Sequence, residues 1–319
     1  MTAPPIPASG VRDLPRPRVR GRVDRSAILV EGYFRAHTAI VYAFLYLPII
    51  VVVLFSFNAN RQATVWLGFS TQWYGEAFRD ISVQKALLNS FLVAIPNAIL
   101  ATTFGTMAAL GLQRVGRAAR AGYDGLTYVS VIVPEITIAL ATLIFFATSF
   151  DIVNPILSTL QGDPAKPFKL GFGHSTIIAA HVLFNTSLVL LIVRARLSGM
   201  DRTLVDASYD LFATPWRTFR QITFPQLLPA IVAGFLLAFT FSFDDYLVTT
   251  FNSGPASSTL PLWIFGQLRK TVTPETNAVA TMMLVFTLGM LFVGQWVLRR
   301  QSRRGGQETS MAGIITEER

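Results

Sequence analysis

Six long apolar runs constrain this chain more than any other feature. They are Thr38–Phe57, Ala86–Leu112, Leu126–Phe150, Ser175–Val193, Ala230–Phe251 and Ala278–Leu298. A helix needs ~20 apolar residues to cross the hydrocarbon core of a bilayer. A chain there must satisfy its backbone polar groups internally, which a helix does within itself. The first, second and sixth runs carry no charged residue, and the fourth carries only His181. The third holds Glu135, and the fifth holds Asp244 and Asp245. Pro48, Pro96, Pro134 and Gly105 lie within runs, as membrane helices permit. Of 319 residues, 52% are hydrophobic and 14% charged, with mean hydropathy +0.48. Soluble domains carry about 25% charged residues, so a water-facing surface is excluded. The expected fold is all-α: one six-span membrane domain over 38–298, a basic tail over 1–37, and a second tail over 299–319. Residues 1–25 are rich in Pro and Arg and read as disordered, 26–37 as a short interfacial helix, and 301–319 as a loose tail.

Lys and Arg positions give the orientation. Twenty fall in the N-terminal tail, the second-to-third loop, the fourth-to-fifth loop and the C-terminal tail; seven fall on the other side. The basic side is expected to be cytoplasmic, with both termini there. Asp163 and Ser257 are then expected outside. The first run exceeds a signal-peptide core in length and no small-residue cleavage site follows it, so it reads as a retained span.

Catalytic signatures are missing. The chain has no GxxxxGK[ST], HExxH or GxSxG sequence, and it has no cysteine. His37, His174 and His181 are far apart, and His181 reads as a hydrogen-bonded residue facing another helix. No cofactor is expected. The formal charge of +9 reflects loop placement and not nucleic-acid binding.

The loop between the fourth and fifth runs, 194–229, is the most informative segment. Asp201 can cap a short helix in which Leu204, Ser208, Leu211 and Phe212 share a face. Thr214-Pro215 starts a second helix, with Trp216, Phe219 and Ile222 as its apolar stripe and Pro225 as its stop. The pair either packs on its own helix ends or docks another subunit.

The spacing in this loop resembles the E-A-A-x-x-x-G-x(9)-I-x-L-P sequence of permease subunits of binding-protein-dependent ABC importers. The matching positions are Asp206-Ala207-Ser208, Phe212 where the family has glycine, Ile222, Phe224 and Pro225. The Phe for Gly exchange predicts an altered turn, because glycine takes positive φ freely. The likeness covers about 35–300 and is strongest to the spermidine/putrescine class. It rests also on Tyr46–Ile50, Ser56–Asn58, Trp73-Tyr74, Pro134–Ile136, Leu237–Asp245, Ser253–Pro255, Thr259–Pro261 and Pro274–Ala278.

This resemblance implies a type I importer permease of the bacterial inner membrane, half of a heterodimeric pore. Its partners would be a sister permease, two copies of a cytoplasmic ATP-binding subunit and an extracytoplasmic polyamine-binding protein. The ATPase contacts would come from Asp206, Ala207, Leu211, Phe212, Trp216, Phe219 and Pro225. Acids inside spans are costly and usually mark function. Glu135, the tenth residue of its run, and Asp244 and Asp245, in the outer half of theirs, therefore suit a cation path. Phe241, Phe243 and Tyr246 would add ring faces. Related permeases carry sulfate, ferric iron, thiamine or phosphonates. A secondary transporter would predict inverted repeats, and none is evident. A membrane enzyme would predict clustered His, Asp or Glu, which only Asp244–Asp245 approaches.

Overall fold

The computed structural model describes residues 25–61, 65–161 and 169–316, without the side chains of 25–29, 161 and 297–316. The expectations for 1–24 and for Asp163 lie outside the described residues.

Twelve helices occur among the described residues: α1 (Arg25–Phe55), α2 (Gln72–Arg79), α3 (Ile81–Gly111), α4 (Arg117–Ile132), α5 (Glu135–Gln161), α6 (His174–Ser198), α7 (Thr203–Asp210), α8 (Pro215–Thr218), α9 (Phe224–Asp244), α10 (Leu247–Asn252), α11 (Leu260–Leu268) and α12 (Pro274–Thr316). A π-helical turn, Phe219–Thr223, joins α8 to α9. Six helical stretches are long and apolar enough to span a membrane: Val30–Phe55, Ile81–Gly111, Glu135–Leu160, His174–Ser198, Pro215–Asp244 and Pro274–Trp296.

The chain divides into two units at Val51 and Val52. The first is mostly α1, whose Ile40, Phe44 and Leu47 are exposed, as suits a lipid-facing helix. The interfacial segment expected over 26–37 is continuous with this helix.

The second unit is built on α3, α6 and α9. Ala94, Ala98 and Ala101 of α3 meet Val189 and Val193 of α6 and Leu227 and Ala238 of α9. Small residues let membrane helices approach closely, where packing substitutes for a hydrophobic drive. A Cβ on Gly105 would lie 2.8 Å from the Val189 Cβ, and one on Gly234 would lie 3.1 Å from Val189 Cγ1. Asn97 donates its amide to the Ala238 carbonyl at 3.0 Å and accepts from Asn185 at 3.3 Å, tying all three helices together.

Stretches that resembled the importer permeases meet in space. Trp73 Nε1 donates to the Asn58 carbonyl at 2.7 Å, and the Tyr74 and Ser56 hydroxyls are 2.7 Å apart. Leu260 N donates to Ser90 Oγ at 2.8 Å. Gly254 approaches the Phe172 carbonyl so closely that any Cβ would collide with it. Arg194 pairs with Asp124, and its hydrogen bonds hold the Asp124 carboxyl below the usual carboxylate range.

Two spans differ from expectation. The third does not run over Leu126–Phe150, because the chain breaks between α4 and α5. Val133, ahead of Pro134, takes φ −63° and ψ 132°, since the proline ring disfavours helical backbone before it. The span is instead Glu135–Leu160, and Glu135 is the first residue of α5, not the tenth residue of a span. The fifth run breaks too: α9 ends at Asp244, Asp245 is extended (φ −69°, ψ 129°), and α10 follows. At the C-terminus the backbone stays helical to Thr316, beyond the span.

Candidate functional site

The α7–α8 pair forms the first candidate site. Asp201 Oδ1 accepts the Thr203 N–H at 2.9 Å, and that bond holds its carboxyl below the usual range. Thr214 caps α8 through the Arg217 N–H, with Pro215 in its first turn, as its sequence specifies. Buried hydroxyls of Ser208 and Thr218, 2.7 Å apart, lock the two helices together. Ser208 therefore faces the partner helix rather than completing an outward stripe.

The turn between them keeps the geometry that glycine would give. Phe212 has φ +58°, a left-handed value carried by no other described non-glycine residue. Ala213 N donates to the Ser208 carbonyl and Phe212 N to the Tyr209 carbonyl, which is the Schellman pattern of a helix end. The expected change of turn is thus corrected. The Schellman bonds over-determine the backbone, and Phe adopts the conformation that glycine takes at lower cost. The result presents the ring outward. Phe212 is 96% exposed, with Leu211 at 82% and Trp216 at 69%. Asp206, Ala207 and Pro225 are also exposed, and Phe219 stacks on Trp216.

Pro225 does not stop the helix. Helical backbone runs from Pro215 to Asp244, with Pro225 in the first turn of α9. The preceding π turn, closed by Phe224 N to the Phe219 carbonyl, absorbs the irregularity beside a residue with no N–H.

The second candidate site lies where the third and fifth runs break. Glu135 opens α5 and is exposed, and its carboxyl neighbours that of Asp245. A carboxylate suits the first turn of a helix, where N–H groups are unpaired. Asp244 and Asp245 are adjacent but part ways. Asp244 is exposed, and no hydrogen bond or ion pair to it occurs among the described residues. Asp245 is buried and accepts from His181 Nε2 at 3.0 Å, Thr249 N at 2.7 Å and Thr249 Oγ1 at 2.8 Å. His181 thus faces another helix with its nitrogens satisfied, as its sequence setting suggested.

The aromatic residues also divide. Phe241 is exposed and meets Phe184 edge-on. Tyr246 stacks on Phe265 with ring centroids 3.9 Å apart, and its hydroxyl accepts from Arg269 at 3.4 Å, so one ring face is already covered. Phe243 lies elsewhere: 1% exposed, it packs with Phe91, Phe239 and Phe286. One residue is worth 100° of helix, and that turn carries Phe243 into the core and away from Asp244.

Sequence reasoning passed over Ser242, Thr249, Asn252 and Thr142. Asn252 donates to Thr142 Oγ1 at 2.9 Å, and Thr176 Oγ1 donates to the Asn252 carbonyl. The available signal was polar residues at helical spacing, Ser242, Asp245, Thr249 and Asn252, in an apolar run.

Six helices able to span a bilayer, with a locked helix pair between the fourth and the fifth, define a polytopic membrane protein. The chain belongs to the family of binding-protein-dependent transport system inner membrane components, which residues 101–305 match. It is 36% identical over 264 residues to the putrescine transport system permease protein PotI of Escherichia coli K12, covering 82% of this chain and 89% of that protein. It is 34% identical over 275 residues to the spermidine/putrescine permease PotC of the same strain, covering 86% and 96%. The PotC of Haemophilus influenzae is 34% identical over 263 residues, covering 82% and 95%. In fold it is similar to a chain of a bacterial ABC transporter involved in import of the acidic polysaccharide alginate. That match has a TM-score of 0.67 at 15% identity, over 86% of this chain and 96% of the other.

Proposed function

We propose that this chain is one transmembrane subunit of a bacterial inner-membrane importer for polyamines, putrescine or spermidine. It supplies half of the translocation path beside a sister permease and hydrolyses no ATP itself. Of the two copies of a cytoplasmic ATP-binding subunit, one docks on α7–α8, through Leu211, Phe212 and Trp216 with Asp206, Ala207, Phe219 and Pro225 around them. An extracytoplasmic polyamine-binding protein delivers the substrate, and both termini are cytoplasmic. Likeness to the putrescine and spermidine permeases supports the substrate class.

The observation that carries the reading is Asp244. An unpaired carboxylate at a helix C-terminus opposes the helix dipole, and no partner compensates it among the described residues. Such a group suits a cation that comes and goes. Exposed Glu135 extends the acidic surface, with Asp245 buried behind it, and the ring of Phe241 stands exposed on the same helix as Asp244. Tyr246 borders the site through its remaining ring face, whereas Phe243 belongs to the aromatic core.

The test is Glu135→Gln and Asp244→Asn in the assembled transporter. Hydrogen bonds to charged groups contribute ~1.5–3 kcal/mol. Each variant should therefore raise the KM for putrescine uptake by about 10- to 100-fold, with assembly and ATPase binding retained. Uptake at wild-type KM by both would remove these residues from the path and the polyamine assignment with them.

A further inference from the structure

The joint in the fifth span creates a problem that one side chain from another helix resolves. Between Asp244 and Leu247 the backbone leaves the helix, inside a segment where unpaired polar groups are costly. Asp245 meets part of the demand by accepting the Val248 and Thr249 N–H groups at the start of α10. That leaves a buried carboxylate, 8% exposed, in need of further donors. His181 of α6, itself 3% exposed, supplies one through Nε2. Its other nitrogen, Nδ1, lies 2.7 Å from Ser242 Oγ on α9.

One imidazole therefore touches both sides of the break: Ser242 before it, Asp245 and Thr249 after it. A neutral ring with its proton on Nε2 donates to Asp245 and accepts the Ser242 hydroxyl. A helix broken at this point has two ends free to pivot unless something spans them, and among the described residues the imidazole does. Asp244 is the last residue of α9, and Glu135 reaches the same Asp245 from α5. Fixing Asp245 therefore fixes both exposed carboxylates relative to each other.

We propose that His181 is a positioning residue: it clasps α9 to α10 across the joint and thereby sets the placement of Asp244 and Glu135. The transport arm of this proposal rests on the path reading above; the structural arm does not.

The experiment uses the assembled transporter with a single cysteine at Leu247, the chain having none of its own. His181→Leu removes both contacts at similar volume. His181→Gln keeps an amide donor toward Asp245. His181→Leu should raise the labelling rate at Leu247→Cys about tenfold, since the joint opens locally. It should also raise the KM for putrescine about tenfold with the maximal rate within about twofold, the loss of one charge-assisted contact. His181→Gln should bring both values back toward wild type. Unchanged labelling in His181→Leu would overturn the clasp. So would a fall in maximal rate, equal in both variants, with KM and labelling unchanged, because that marks a filler of space. Faster labelling with unchanged KM would sustain the clasp and remove Asp244 and Glu135 from the path. If His181→Leu does not assemble, Ser242→Ala and Thr249→Val, each opening one side, carry the same readouts.

Discussion

Phe212 holds a backbone conformation that costs a side-chain-bearing residue about 1–2 kcal/mol relative to glycine, yet its ring touches solvent almost entirely. The Schellman bonds hold the backbone there, but among the described residues no packing of the ring adds to them, which suits a contact made with another protein. Two substitutions separate turn from ring. Phe212→Gly keeps the turn and removes the ring, so the thermal midpoint should hold or rise, with stability up by as much as about 1 kcal/mol. Phe212→Ala keeps the strain and removes the ring. Both should uncouple ATP hydrolysis from putrescine uptake, read as hydrolysis per substrate imported, with the subunit still in the membrane. Wild-type coupling in both would exclude the ring from the interface. At this scale the sequence was a partial guide. The acid, alanine, isoleucine and proline positions located the helix pair, but residue type alone argued against a left-handed Phe, and only the Ser208 and Tyr209 carbonyls show what enforces it.

Helices were legible where apolar runs were uninterrupted, and the second, fourth and sixth spans fall close to their expected limits. The third and fifth shifted for a common reason. Hydropathy does not register a break whose flanks are equally apolar, as at Val133-Pro134 and around Asp245. Proline was a sufficient sign at the first joint. At the second, the sign was the polar spacing from Ser242 to Asn252, which becomes interpretable only once His181 is opposite it. The tight crossing of α3, α6 and α9 was not legible, because a glycine in an apolar run does not announce what it faces. It yields a prediction on paired glycines. Gly105→Ala forces a Cβ against Val189 and should destabilise the subunit by about 1–3 kcal/mol. Gly122→Ala on α4 meets nothing within 4 Å and should be neutral or mildly stabilising. Thermal unfolding of the two purified variants checks this, and equal midpoints would contradict the packing.

For the whole molecule, the charge asymmetry between loops predicts which ends share a side. Ser257, chosen from sequence as an external marker, is buried beneath its own turn, so its exposed neighbour Ala256 is the better reporter. In intact cells a cysteine at Ala256 should react with an impermeant thiol reagent and one at Thr203 should not; the reverse pattern would invert the topology. A different consequence follows from the π turn at Phe219–Thr223. It holds one residue more than an α turn, and one residue is worth about 100° of rotation and 1.5 Å of rise. The compass bearing of Phe212 about the axis of the fifth span is therefore set by chain length, like a key cut to one notch. Trimming one residue of the turn would leave every side chain of α7, α8 and α9 intact, yet swing the pair about a quarter-turn off its mark.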